Sequence, residues 1–303
     1  VIKMLEILRP LRKELAPPTQ AAVGFFTDTS LCIGCKACEV ACKQWNQLPG
    51  ETPHWQGSSY DNTGQLSAQT WRHVQFIEQV GLRRPGVVLE ELVTEARHNG
   101  DIPPGAPGTA LPFFNSERWL MHSDVCKHCA HAPCQEACPT GAIIRTEFDT
   151  VYVQQDICNG CGYCIVACPF GVIARDELGD HQAHKCTLCY DRLKDGMEPA
   201  CAQACPTDSI QFGELTELKA RARTRLWELH QRGVGEARLY GEDEAILDGG
   251  LNSFFLLLDR PEVYNLPEQP VRPSQNIAPA SFWTIVAAVL LGLLGMLFFR
   301  DQE

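Results

Sequence analysis

The chain has 303 residues, 45% hydrophobic and 21% charged, which is enough for a two-part globular body with an added apolar segment. Its formal net charge of −11 excludes a general nucleic-acid binder, which needs a basic face for the phosphates. Sixteen cysteines are too many to be incidental and require one shared explanation.

Residues 1–26 read as a short amphipathic N-terminal arm. Met4, Leu5 and Leu8 share helical spacing before Pro10, and Ala16-Pro17-Pro18 breaks it. Lys3 and Arg9 interrupt the apolar residues and no small-residue cleavage site follows, so no secretory signal is expected there. The first cysteine run is Cys32, Cys35, Cys38 and Cys42. Residues 43–122 lack cysteine and mix Pro/Gly-rich loops with a predicted strand at Trp71–Ile77 and a predicted helix at Leu89–Arg97. This insertion reads as an interface rather than a site of chemistry. A strand at Trp119–His122 leads into the second run, Cys126, Cys129, Cys134 and Cys138, followed by Pro139. A hairpin of Ala142–Thr146 and Val151–Val153 connects it to the third run, Cys158, Cys161, Cys164 and Cys168, followed by Pro169. The fourth run is Cys186, Cys189, Cys201 and Cys205, followed by Pro206.

Beyond the runs, Glu217–Gln231 predicts a helix with Leu218, Ala222, Leu226 and Leu229 on one face and a solvated charged face opposite. Ser253–Leu258 predicts a strand. Residues 259–279 carry Pro261, Pro267, Pro270, Pro273 and Pro279 and read as an extended linker. Ala280–Phe299 holds no charge and as a helix reaches about 30 Å, the thickness of a bilayer core. Trp283 sits where an interfacial aromatic belongs, Arg300 closes the far end, and Ala288 and Gly292 form a small-xxx-small step. A single C-terminal transmembrane helix is expected.

The third run reads C-x2-C-x2-C-x3-C-P, the spacing with which bacterial ferredoxins hold [4Fe–4S] clusters. Three of its cysteines lie on one tight loop and can reach three irons of one cube. In two-cluster ferredoxins the fourth ligates the neighbouring cluster. The first run repeats this spacing and shares the glycine before its second cysteine and the Val-Ala before its fourth, with Lys43 in place of the closing proline. Residues 137–143 and 204–210 repeat each other as well. The expected fold is α+β: two ferredoxin-like units, duplicated, with a loop-rich insertion and the C-terminal span. Beside the cysteine runs lie the insertion at 44–115, a helix and strand at 216–265, a proline-rich linker at 266–279 and the span at 280–299. Sixteen cysteines match the iron positions of four cubes, leaving no open iron for a substrate, so the clusters are electron carriers. No catalytic site is visible in this chain. Lys36, Lys127 and Lys185 stand beside ligands and are placed to offset cluster charge. His128 and His184 read as histidines that hydrogen-bond a sulfide or face solvent. Structural zinc sites are the remaining alternative, although paired CxxC zinc ribbons do not need this longer run.

With middle gaps of two, four, two and eleven residues, the runs resemble the iron–sulfur subunits of the molybdopterin oxidoreductases. Within these, the chain resembles the β subunit of membrane-bound, quinone-linked formate dehydrogenase over roughly residues 24–300. Residues 32–46, Tyr60-Asp61-Asn62, 160–170, 185–189 and 198–201 carry the likeness. The resemblance implies that runs one and four form one unit, 27–43 with 183–215, and runs two and three the other, 116–182. It implies clusters held by Cys32, Cys35, Cys38 and Cys205; by Cys186, Cys189, Cys201 and Cys42; by Cys126, Cys129, Cys134 and Cys168; and by Cys158, Cys161, Cys164 and Cys138. The nitrate reductase relative replaces one cysteine with tryptophan, whereas this chain keeps all of them. The implied partners are a catalytic α subunit with molybdenum or tungsten bis-pterin, a membrane cytochrome b γ subunit with haem b, and the lipid bilayer; nucleic acid is not among them. A higher oligomer of the heterotrimer is compatible with the family. The implied place is the cell membrane, single-pass, with the soluble body on the periplasmic side and exported on the catalytic subunit's twin-arginine signal. Residues 81–112 read as an added loop. The alternative is that the same wire serves a membrane-bound hydrogenase or a polysulfide, thiosulfate or dimethyl sulfoxide reductase.

Overall fold

The computed structural model describes residues 21–50, 60–61, 63–79 and 118–299. In chain order its elements are β1 (Val23–Asp28), α1 (Ala37–Trp45), β2 (Arg72–Gln79), β3 (Arg118–Val125), α2 (Pro133–Glu136), β4 (Ile143–Arg145), β5 (Val151–Val153) and α3 (Tyr163–Ala167). There follow β6 (Ala174–Arg175), β7 (Ala183–His184), α4 (Tyr190–Lys194), α5 (Ala200–Gln203), β8 (Ile210–Glu214), α6 (Leu215–Gln231), β9 (Arg238–Tyr240), β10 (Ser253–Leu257) and α7 (Ile277–Phe299). The pieces are short because the cysteine loops fill the stretches between them. Met4, Leu5 and Leu8, the predicted helix at Leu89–Arg97 and the added loop at 81–112 lie outside the described residues.

The largest sheet has the order β8-β1-β10-β9, with β1 parallel to β10 and antiparallel to β8. β1 begins inside the stretch read from sequence as an arm. It has no solvent-exposed face, since Phe25 to Asp28 are all buried, as befits a strand covered on both sides. Phe26 stacks on Phe254 at 5.5 Å and meets Leu218, Ala222 and Leu229 of α6. Each such buried side chain stabilises the fold by roughly 1.5–3 kcal/mol. The charged face of α6 is not wholly solvated. Arg225 Nε reaches 2.9 Å to the carboxylate of Asp28, a buried acid that also accepts from the backbone and hydroxyl of Ser30.

Three antiparallel pairs complete the strands: β2 with β3, β4 with β5 and β6 with β7. The predicted strands at Trp71–Ile77, Trp119–His122 and Ser253–Leu258, the 142–153 hairpin and the helix at Glu217–Gln231 all appear within two or three residues of their expected ends.

The stretch 259–279 is a packed element rather than an extended linker. Pro261–Tyr264 and Pro273–Asn276 form 3₁₀ turns, and Tyr264 and Leu266 are buried in the core around Phe255. The Tyr240 hydroxyl donates to Pro267 O at 2.7 Å. Arg272 bridges Glu136 of α2 at 2.7 Å and the Asp248 carboxylate. Prolines here fix turns against a core instead of holding a spacer open, because aromatic side chains between them find somewhere to go.

α7 follows directly. Its backbone runs for 23 residues, but its side chains are described only over 281–294, about 21 Å of helix. Among the described residues no helix is long and apolar enough to cross a membrane. Phe282, Trp283, Ile285, Val289, Leu290, Leu291, Leu293 and Leu294 are nevertheless all at least half exposed, on every side of the helix.

Candidate functional site

The four cysteine runs share one backbone device. The residue before the second cysteine lies in the left-handed region in each: Gly34 (φ 67), His128 (φ 44), Gly160 (φ 70) and Leu188 (φ 56). A side chain there costs roughly 1–2 kcal/mol, and two of the four positions bear one. Such a turn points successive N–H groups into the loop, a nest that receives an anionic centre. The first and third runs repeat the device at a further position, Lys36 (φ 59) and Gly162 (φ 81), which open α1 and α3.

The closing cysteines follow a second rule. After Cys138, Cys168 and Cys205 a proline ends any helix, and the chain turns through Gly141 (φ 70), Gly171 (φ 63) and Asp208 (φ 52). Lys43 lifts that stop in the first run, so α1 continues to Trp45. Trp45 then donates from Nε1 to Asp191 at 2.8 Å and lies 4.2 Å beneath the Arg192 guanidinium. Cys42, one turn beyond Cys38 on α1, is thereby carried towards the fourth run.

The cysteines fall into four groups, and every group mixes two runs. Cys32, Cys35, Cys38 and Cys205 line one cavity. Cys126, Cys129, Cys134 and Cys168 line another, with Lys127, His128, Phe170 and Lys185. Cys42 feels the sulfurs of Cys186, Cys201 and Cys189, and Cys164 those of Cys158, Cys138 and Cys161. The groups also form a row. Cys38 feels the charge of Cys201, Cys186 that of Cys126, and Cys134 that of Cys164, linking the Cys32, Cys186, Cys126 and Cys158 groups in that order. The end groups each present one exposed cysteine, Cys35 and Cys161; the Cys186 group is buried throughout, and only Cys168 of the Cys126 group is partly exposed.

Burial governs the thiols. It pushes Cys38 and Cys134 up to about 12 and Cys164 and Cys189 up to about 11, and raises Cys42, Cys129 and Cys186 as well. Thiolates in these places need positive charge brought to them, which iron supplies. All sixteen cysteines are free of disulfides. Among the described residues, the group of three ligand atoms within 4.8 Å of one another is Asp176, Asp180 and His184, and no trio of thiols meets that limit. A single zinc ion, with Zn–S bonds of about 2.3 Å, needs its sulfurs about 3.8 Å apart. A cube, which gives each thiolate its own iron, suits them. The Asp176 trio belongs to an exposed hairpin, where the carboxylates accept from Leu178, Gly179 and Gln182 N–H and face His184.

Two of the lysines singled out from sequence are fully buried. Lys127 pairs with Asp124, donates to Val125 O at 2.8 Å and lies over Phe170 and Phe255. Lys185 donates to Val151 O at 2.5 Å and Cys186 O at 2.9 Å. Lys36 sits 3.6 Å from Glu39 and 3.5 Å from Asp61, so carboxylates already compensate it. His128 accepts from Val151 N–H through Nδ1 at 3.1 Å, and burial, reinforced by Lys185 and Arg145, holds it neutral. His184 is on the exposed hairpin. Sequence reasoning missed Arg72, which is 1% exposed. It shares one face of β2 with Val74 and Phe76, and a charge in an apolar file is the signal that would have found it.

Comparisons with known proteins agree on the class. Two family models described as a 4Fe–4S dicluster domain match residues 117–215 and 31–142. The chain is 35% identical to the iron–sulfur subunit of the nitrate-inducible formate dehydrogenase of Escherichia coli, over 97% of this chain and 91% of that one. It is 37% identical to the formate dehydrogenase iron–sulfur subunit of Haemophilus influenzae, over 93% and 82%. It is 35% identical to the thiosulfate reductase electron transfer subunit of Salmonella typhi, over 72% and 84%.

Proposed function

We propose, from the premise that this protein belongs to the family of formate dehydrogenase iron–sulfur subunits, that it conducts electrons away from a formate-oxidising catalytic subunit. The chain carries [4Fe–4S] clusters and is an electron-transfer subunit of an oxidoreductase, without a catalytic site of its own. The four groups are read as the four cluster sites: Cys32, Cys35, Cys38 with Cys205; Cys186, Cys189, Cys201 with Cys42; Cys126, Cys129, Cys134 with Cys168; and Cys158, Cys161, Cys164 with Cys138. When bound, each cluster takes up and releases one electron. The protein's part is to hold sixteen thiolates, turn backbone N–H groups toward them and keep water from the middle of the row.

One observation carries the reading: the row has a group with an exposed cysteine at each end and two groups without one between them. A storage protein has no use for two open ends; a conductor between two partners requires them. Ile33 stands exposed beside one end, and Tyr163 and Val166 beside the other, as apolar rims for contact. In this reading the donor is a molybdenum or tungsten bis-pterin subunit and the acceptor a cytochrome b subunit that reduces quinone. α7 is read as a single membrane span. Its 23 residues reach about 34 Å, and its exposed apolar side chains lie on all faces, as in lipid.

The test is low-temperature EPR of the purified complex with iron and acid-labile sulfide analysis. Formate is expected to reduce four cluster signals. Reduction by hydrogen and not by formate would overturn the choice of donor. Bound zinc without sulfide would overturn the electron-transfer reading altogether. Removing residues 280–303 is expected to release the purified chain from lipid vesicles, and unchanged binding would refute the span.

A further inference from the structure

Among the described residues, a buried guanidinium with no carboxylate partner lies between two of the cysteine groups. Arg72 enters from β2, in the insertion that the ferredoxin-like pattern does not account for. Its Nη1 donates to Ser123 Oγ at 2.9 Å, and that hydroxyl lies 3.3 Å from Cys38 Sγ. Its Cζ is 4.8 Å from the centre of the Phe25 ring. Among the described residues Nε and Nη2 have no hydrogen-bond partner. The charges it meets are the sulfurs of Cys38 in the Cys32 group and of Cys201, Cys186 and Cys42 in the Cys186 group. They hold it charged although burial works against it.

A buried charge left uncompensated is strongly disfavoured, so compensation must come from the sulfur side. A cube bound by four thiolates carries net negative charge, and each added electron makes it more negative. A fixed cation between two such sites therefore favours the reduced form of both. Lys127 differs, being paired with Asp124. Lys185 stands further along the row, where Cys134 feels it.

We propose that Arg72 is a positioning charge shared by the Cys32 and Cys186 clusters, raising the reduction potentials of both together. The inference rests on the reading of these groups as clusters. Electrons passing between the two cross a segment that one residue biases, with no bond made or broken and no proton moved. The pair then accepts from a donor more readily than its thiolates alone would allow.

The experiment is a potentiometric EPR titration of the whole complex, comparing wild type with R72Q, R72K and S123A. R72Q is expected to keep the iron and sulfide content and to disfavour the reduced form of two clusters about tenfold, roughly 59 mV for a one-electron couple. The Cys158 cluster, at the far end, is expected to be unmoved. R72K, which keeps the charge, restores most of the shift, and S123A, which removes only a hydroxyl, leaves the reduction equilibria of both clusters within about threefold. Unchanged potentials in R72Q, an equal shift in all clusters, or equal shifts in R72K and R72Q each overturn the proposal. So does an R72Q complex that lacks iron, which would make the residue structural. Absence of cluster signals from wild type would instead refute the cluster reading.

Discussion

Replacing Gly160 by alanine tests whether the cysteine loops are held by contact or by backbone conformation alone. Gly160 has φ 70, and a Cβ there would sit 2.2 Å from His181 O. Real Cβ contacts stay beyond 3.0 Å, so that carbonyl must withdraw by about 0.8 Å. The carbonyl is just ahead of β7, whose Ala183 N–H donates to Cys158 Sγ at 3.5 Å, and Gln182 Nε2 donates to Cys158 O at 3.1 Å. The left-handed conformation costs a side chain roughly 1–2 kcal/mol and overpacking roughly 1–3 kcal/mol, so G160A is expected to destabilise by about 2–5 kcal/mol. Gly162 provides the control. Its φ is 81, but the nearest neighbour of its Cβ is Ile165 Cδ1 at 4.0 Å, and Lys36 fills the matching position in the first run. G162A should therefore cost only the conformational part, about 1–2 kcal/mol. The assays are the apparent unfolding midpoint, expected to fall several degrees further for G160A, and the EPR signal of the Cys158 cluster, expected to be lost selectively. Equal damage from the two substitutions, or an intact signal in G160A, would refute the role of the His181 contact.

Three other outcomes follow from the same geometry. Lys43→Pro puts a proline inside α1, at a cost of about 3 kcal/mol, and detaches Trp45 from Asp191 and Arg192; EPR should lose the Cys186 cluster and keep the Cys158 cluster. Arg272→Ala removes both ion pairs at the base of α7, partly exposed contacts worth about 1–2 kcal/mol together, and should raise hydrogen exchange over residues 261–276. His122 is buried, and burial lowers its pKa from the usual value, so below about pH 6.5 the unfolded form binds a proton that the folded one does not. Stability should fall by about 1.4 kcal/mol per pH unit from this residue as pH drops below about 6.5, and H122Q should flatten the slope of the unfolding midpoint there.

The cysteine spacing carried much of the fold because ligand geometry is local. Three cysteines two residues apart force a tight loop, and a proline after the fourth ends its helix, whatever surrounds them. The hairpin between runs two and three and the amphipathic pattern of Leu218, Ala222 and Leu229 were legible for the same reason. β1 was not. Its neighbours β8 and β10 are distant in sequence, and a strand buried on both faces has no alternation to display.

The packed turns at 261–276 show a different limit. A run of prolines states that the backbone is restricted, but not whether a core exists beside it. Here it does, because His122 offers rings to Tyr264 at 5.4 Å and to Phe255 at 4.7 Å, and Glu136 waits for Arg272. Arg72 is the sharper case. Lys36, Lys127 and Lys185 were found by adjacency to cysteines, yet Lys36 proved to be compensated by carboxylates. Arg72 stands 30 residues from any cysteine before it, and reaches four of them only because β2 pairs with β3 and α1 packs beside it. A charge acts through space, so its electrostatic partners are chosen by the sheet register rather than by neighbours along the chain. Residues that tune a centre are therefore less legible than residues that hold it, since only holding imposes a spacing.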